Sequence, residues 1–327
     1  MSTRFLSFVY AVFAVLFAGG TVLVSVAGCH AETPPVAAQT LAGVSYNPAP
    51  PLNAKATPLF DTKRPPTEAR TFRVTYRGAT GGMVPALFTV PGSGLGAARH
   101  PAIVVVHGLG SSKEDTVLLA VALARRGYAT FAIDLDAHGE RRLGSGRTIA
   151  DLSLAEMRHS AAVSVTDLRR GVDYLATRPD VDKTRVGCIG ISLGGVYGAV
   201  FAGVEPRIGA TALWSAGGDW GILLTESRQY FAVKRRESGK TPDADTVRQV
   251  LRDVDPMTYA ARIAPRPLLL LAGTRDAIVP NAATDALFDA ASDPKTLERF
   301  PGGHIPDPRA MMVRTMAFFD ETLKRRQ

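Results

Sequence analysis

Between residues 71 and 302, short apolar runs alternate with amphipathic stretches. TFRVTYRG (71–78) and VPALFTVP (84–91) are rich in β-branched and aromatic residues and flank a Gly-Gly turn, which predicts an antiparallel hairpin. AIVVVHG (102–108) is apolar up to its histidine, the pattern of a strand covered on both faces. YATFAID (128–134), RVGCIGI (185–191), ATALWSA (210–216), PLLLLAG (267–273) and TLERFPG (296–302) supply five more strands, eight in all. Between them the spacing predicts helices near 114–126, over 154–177, where Val165, Leu168, Val172 and Leu175 recur at helical intervals, and near 281–291 and 308–325. Strands and helices in alternation predict an α/β architecture, a mostly parallel eight-stranded sheet with helices on both faces. About 219–257 the alternation breaks, and aromatic and leucine residues mix with charges at helical spacing, which predicts a short helical cap insertion.

The two ends of the pattern differ from its middle. Residues 5–28 carry no charge and are long enough to span a bilayer, so 1–29 reads as an export signal or anchor. The stretch closes on Val26-Ala27-Gly28-Cys29, which resembles a bacterial lipoprotein signal; that resemblance implies cleavage before Cys29 and lipidation of its thiol. A transmembrane anchor and simple secretion are the alternatives, and in the lipoprotein case the protein sits in the cell envelope, held to a membrane. Residues 30–66 are rich in Pro and Ala without apolar periodicity and predict an extended tether. The folded domain is then expected over 67–327.

Composition narrows the function class. With 46% hydrophobic and 21% charged residues the chain has material for a sizeable core. The net charge of +8 is scattered rather than gathered on aromatic-laced runs, which argues against a nucleic-acid partner, although it suits a protein resting near anionic headgroups. Cys29 and Cys188 are the only cysteines, so no disulfide framework is expected, and Cys188 reads as a small buried strand residue. The histidines lack metal-ligand spacing, and neither a phosphate-binding loop nor a dinucleotide fingerprint occurs, so no metal and no cofactor is inferred.

The chemistry concentrates in Gly190-Ile191-Ser192-Leu193-Gly194, a G-x-S-x-G stretch between a predicted strand and a predicted helix. Such a turn projects the serine hydroxyl at the carboxyl edge of the sheet, at a helix N-terminus that favours developing negative charge. A serine needs a base and an orienting carboxylate. His304, in FPGGHIPD, is the sole histidine after Ser192. Asp276, in LLLLAGTRDAIVP, is the preferred acid, with Asp219 of SAGGDW its rival. The N–H groups of Leu193 and Leu109 are the expected oxyanion donors, and His107 and His138 are expected to be structural, the latter with Glu140 and Arg141.

At these residues the chain resembles the α/β-hydrolase superfamily, over about 260 residues from Thr67 onward. HGLGSSKED, LARRGYATFAIDLDAHGE, DLRRGVDYLATRPDVDKTRVGCIGISLGG, PRPLLLLAGTRDAIVP and GGHIPD follow that family's order. The third stretch looks most like the dienelactone hydrolase, acetyl xylan esterase and prolyl oligopeptidase branch, with serine at position 192 where dienelactone hydrolases commonly have cysteine. The resemblance implies hydrolysis of a small-molecule ester through an acyl-serine intermediate. A peptidase or thioesterase of the same fold and a non-enzymatic binding protein are the other readings. Trp220, Leu223, Leu224, Tyr230 and Phe231 of the insertion are expected to shape the substrate site, with a lid that merely packs on the core as the alternative.

Overall fold

The computed structural model describes residues 42–59, 69–92, 99–144, 147 and 149–324. Among these described residues nine strands form one sheet: β1 (Lys55–Pro58), β2 (Ala69–Arg77), β3 (Met83–Pro91), β4 (His100–Val106), β5 (Ala129–Ile133), β6 (Val181–Ile191), β7 (Ile208–Trp214), β8 (Leu268–Gly273) and β9 (Lys295–Phe300), in the order β1-β2-β3-β5-β4-β6-β7-β8-β9. The first three strands are antiparallel, β3 pairs antiparallel with β5, and every pairing from β5 to β9 is parallel.

The valine-rich β4 is central because both of its faces are covered. Val104 and Val106 point into one core with Phe131, Leu168 and Val200; Ile103 and Val105 point into the other with Leu123, Ile189 and Phe319. Helices α1 (Val117–Arg125) and α8 (Pro308–Phe319) cover the second face, and α2 (Leu154–Ala176) and α3 (Leu193–Val204) the first. Helix α2 starts at a reciprocal Ser153/Glu156 capping box, as its sequence allows. Helices α4 (Trp220–Thr225), α5 (Tyr230–Glu237) and α6 (Ala244–Leu251) make up the insertion, and α7 (Asn281–Ala290) lies between β8 and β9. From β4 the chain moves to β5 on one side and later from β6 to β7 on the other, so the carboxyl ends of β4 and β6 meet at the point where strand order reverses. Open α/β sheets bind ligands at such a point.

The eight-strand expectation needs correction, and so does the tether over its described part. Lys55–Pro58 forms a ninth, solvent-facing edge strand on β2, with Lys55 opposite Thr75 and Pro58 opposite Phe72. Ahead of it Val44 is fully buried, the Tyr46 hydroxyl donates to Asp173 at 3.0 Å, and the Arg169 guanidinium lies 4.7 Å from the Tyr46 ring centre. Arg170, nearly buried on α2, donates to the carbonyls of Pro48 (3.1 Å) and Pro50 (2.7 Å). A proline-rich segment lacks N–H groups for a regular ladder but keeps its carbonyls, and the arginines of α2 supply donors for them. That complementarity is tertiary, so local composition does not reveal it. Arg170→Met should therefore destabilise the fold by about 2 kcal/mol, since two carbonyls lose a buried donor while Asp173, which Arg170 also meets at 2.9 Å, keeps Arg207 and Tyr46; urea unfolding checks it, and a change under ~0.5 kcal/mol would mean the strap is idle.

Among the described residues no helix is long and apolar enough to cross a membrane. The segment 1–29, with Cys29, lies outside them.

Candidate active site

Ser192 stands between β6 and α3 at φ 57° and ψ −121°, a left-handed conformation unusual for a residue with a side chain. Its N–H donates to the Trp214 carbonyl on β7 at 2.8 Å, which pins the turn to the sheet. The flanking glycines are required by contact. A Cβ on Gly194 would stand 2.2 Å from the Val106 carbonyl oxygen, and one on Gly190 would stand 2.4 Å from that of Gly194.

His304 arrives on the loop after β9 and Asp276 on the loop after β8. The Thr274 and Arg275 N–H groups donate to Phe300 and Gly302 at 2.9 and 2.8 Å, so the two loops travel together. Ser215, after β7, donates its hydroxyl to the His304 carbonyl. The result is a continuous relay: Asp276 Oδ2 lies 2.8 Å from His304 Nδ1, and His304 Nε2 lies 2.8 Å from Ser192 Oγ. Because an ionised carboxylate only accepts, the imidazole proton belongs on Nδ1 and the Nε2 lone pair faces the serine hydroxyl. Asp276 Oδ1 accepts from the Ile278 and Val279 N–H groups at 2.9 and 3.0 Å, and the side chain is almost fully buried. The sequence-predicted serine, histidine and preferred acid are thus brought together.

The rival acid is engaged elsewhere. Asp219 caps α4 through the Ile222 N–H (3.2 Å) and pairs with Arg248 at 2.9 Å. Leu193 opens α3, where a first-turn N–H has no partner within the helix, and it lines one cavity with Leu109, Ser192 and His304. Both are therefore near the serine, on the side from which the β4 loop approaches.

His107 supports that loop rather than the reaction. Its Nε2 accepts from the Leu135 N–H at 3.1 Å, which places its proton on Nδ1, 2.9 Å from the Gly108 carbonyl. Burial, the largest influence, lowers its pKa to about 4. Between an ordinary pKa of 6.5 and about 4 the unfolded chain accepts a proton that the folded one refuses, so stability falls as pH falls through that window. Urea titrations should show wild type losing up to roughly 1.4 kcal/mol per pH unit more than His107→Asn there; equal slopes would refute it. Lys113, missed by sequence reasoning, ties the β4 and β5 loops together: fully buried, it contacts Asp134 at 2.8 Å and Glu140 at 2.7 Å. Burial pulls its ammonium down, but these hydrogen bonds and that of Glu114 prevail and hold it above its ordinary value.

His138 is buried, yet its partner is not Glu140 or Arg141. Its Nδ1 meets the Asp136 carbonyl at 2.8 Å and its ring lies 5.3 Å from that of His107. Arg141 pairs instead with Asp167. Cys188 is fully buried on β6, and burial raises its thiol pKa.

The cavity over Ser192 holds about 290 Å³ and is mostly apolar, with Val196, Trp220, Leu223, Phe231, Ile278 and Val279 in its walls. Of the insertion residues singled out by sequence, Trp220, Leu223 and Phe231 reach it. Leu224 is buried in the core instead, and Tyr230 is 76% exposed beside a neighbouring cleft. Val196 was overlooked although it follows Ser192 by one helical turn, and Ile278 and Val279 although they sit inside the Asp276 motif.

Fold and relay together define an α/β-hydrolase. More narrowly, the chain belongs to the prolyl oligopeptidase family, whose profile matches residues 117–300. It is 26% identical over 253 residues to YitV of Bacillus subtilis, a protein that bears the name of an esterase, covering 69% of this chain and 91% of that one. Acetyl xylan esterase 1 from Thermoanaerobacterium superposes with a TM-score of 0.69 at 19% identity, over 86% of this chain and 91% of that chain. A puromycin-hydrolyzing peptidase of Mycobacterium tuberculosis gives 0.62 at 19% identity, over 80% of this chain and 41% of that one. At such identities the two structures share the fold.

Proposed function

We propose that this protein is a serine carboxylesterase acting through an acyl-Ser192 intermediate. The observation that carries the reading is the unbroken Asp276–His304–Ser192 relay, 2.8 Å at each step, opening into an apolar cavity. His304 Nε2 takes the hydroxyl proton as Ser192 Oγ attacks the ester carbonyl. The resulting oxyanion is met by the Leu193 and Leu109 N–H groups. As the tetrahedral intermediate collapses, the bond to the alcohol oxygen breaks and His304 returns the proton to it. Water repeats the sequence on the acyl-enzyme, releasing the acid and restoring Ser192. Asp276 holds the imidazole and stabilises its charged form.

The cavity of about 290 Å³ suits a short acyl or alcohol portion. A fluorophosphonate probe should label the purified protein once, on the peptide containing Ser192; absence of label, or label elsewhere, would overturn the assignment. Membership of the prolyl oligopeptidase family favours a second reading, a peptidase on the same relay. Faster turnover of peptide p-nitroanilides than of p-nitrophenyl acetate would select it.

The charge-free stretch ahead of Cys29 supports export and lipid anchoring in a bacterial envelope. Under that reading Cys29→Ser moves the protein from the membrane to the soluble fraction of its native host. Retention in the membrane would instead favour a spanning anchor.

A further inference from the structure

Beside the apolar cavity lies a second cleft of about 480 Å³, sharing Leu109, Gln229 and Phe231 with it. The two spaces therefore adjoin, but their chemistry differs. The polar groups in the lining of the second include His138, Arg142 and Asp115, with Arg147 at its edge already paired to Glu156 at 2.8 Å. His138 is 5% exposed, and its Nδ1–H is spent on the Asp136 carbonyl, which leaves the Nε2 lone pair as an acceptor with no partner among the described residues. Burial also disfavours its protonated form. Arg142 spends Nε on the Gly139 carbonyl at 3.0 Å, and its two terminal nitrogens have no partner among the described residues. Asp115 is kept ionised by the Ser111 hydroxyl (2.7 Å) and the Ser112 N–H (2.9 Å), both on Oδ2, so Oδ1 remains open.

The walls are braced from behind. Arg235 of α5, fully buried, donates to the carbonyls of Leu152 and Lys240. It thereby fastens the helix that carries Tyr230 and Phe231 to the segment that carries Ile149 and Ala150, all four of which line the cleft. A cleft held in this way is preorganised rather than formed by the ligand.

We propose that this cleft binds a hydroxyl-bearing portion of the ester cleaved at Ser192, with hydroxyls donating to His138 Nε2 and Asp115 and accepting from Arg142. The inference rests on the esterase reading. A neutral polyol can donate to His138 and Asp115 and accept from Arg142 at once, whereas a carboxylate or phosphate, though suited to Arg142, would meet the Asp115 charge and find Arg147 already paired with Glu156. An alkyl chain would leave all three groups without partners. The hydroxyls can belong to the alcohol half or the acid half of the ester, and the test separates the two.

Values of kcat/KM are measured for glycerol monoacetate against propyl acetate, and for methyl gluconate against methyl hexanoate. Wild type should favour the hydroxylated member of at least one pair by about tenfold or more, as several hydrogen bonds to buried or charged groups allow. The pair that shows it identifies the half. Arg142→Met, an exposed change, and His138→Phe, which keeps the ring, should each lower that ratio roughly three- to tenfold. Rates are normalised to the fraction labelled by fluorophosphonate, so lost folding is not read as lost recognition. Ratios of one or less for both pairs in wild type, or a ratio unmoved by Arg142→Met, would overturn the proposal while leaving the esterase reading intact. A protein that neither labels nor turns over any ester brings down both.

Discussion

Ser192→Ala is expected to lower kcat for the best ester substrate by roughly 10⁴-fold or more while leaving the folded structure in place. The magnitude follows from what alanine removes: without Oγ there is no acyl-enzyme, and the oxyanion donors and cavity can assist only direct attack by water. The position makes a second measurement informative. Ser192 holds φ at 57°, where a side chain costs of order 1–3 kcal/mol, and alanine keeps that strain. Glycine does not. Thermal unfolding should therefore place Ser192→Ala within a few degrees of wild type and Ser192→Gly at or above it. A Ser192→Ala protein retaining a tenth of wild-type turnover would mean that another residue is the nucleophile.

How much of this was legible in the sequence depends on the range over which each signal acts. The nucleophile turn is local: strand, glycine, serine, glycine and helix follow within a dozen residues, and steric demand at Gly190 and Gly194 acts inside the turn or on the adjoining β4 carbonyl. The parallel strands were legible because two-sided burial leaves uninterrupted apolar runs, as in β4. Asp276 was readable because its tight loop is fixed by bonds to Ile278 and Val279, two and three residues on. The strap over 42–58 was not, because its donors lie on Arg169 and Arg170, more than a hundred residues away, and proline-rich extended chain looks the same whether it is tethering or docked. Lys113 was invisible for the same reason. Nothing near it in sequence says that Asp134, one strand later, will share its burial. In the insertion the apolar residues were found but not their faces: Leu224 turns to the core, and Tyr230 to the polar cleft.

Asp276→Asn is the sharper test of the relay, because it preserves shape and changes the direction of one hydrogen bond. An asparagine oxygen still serving Ile278 and Val279 would turn its NH₂ toward His304 Nδ1, which must then become the acceptor. The imidazole proton moves to Nε2, the atom that has to accept from Ser192, and the favourable charge opposite the imidazolium is lost. A fall in kcat of about 10³–10⁴-fold is expected, the scale set by wrong-tautomer substitutions in serine hydrolases. Asp219→Asn provides the contrast. That residue keeps an oxygen for the Ile222 N–H and loses only its charge opposite Arg248, a pair on a side chain 43% exposed, so the effect should stay within about 1 kcal/mol of stability and about twofold in kcat. If both substitutions cost equally in kcat, the acid is shared or misassigned. If Asp219→Asn costs more, the 2.8 Å contact between Asp276 and His304 is not the one that catalysis uses.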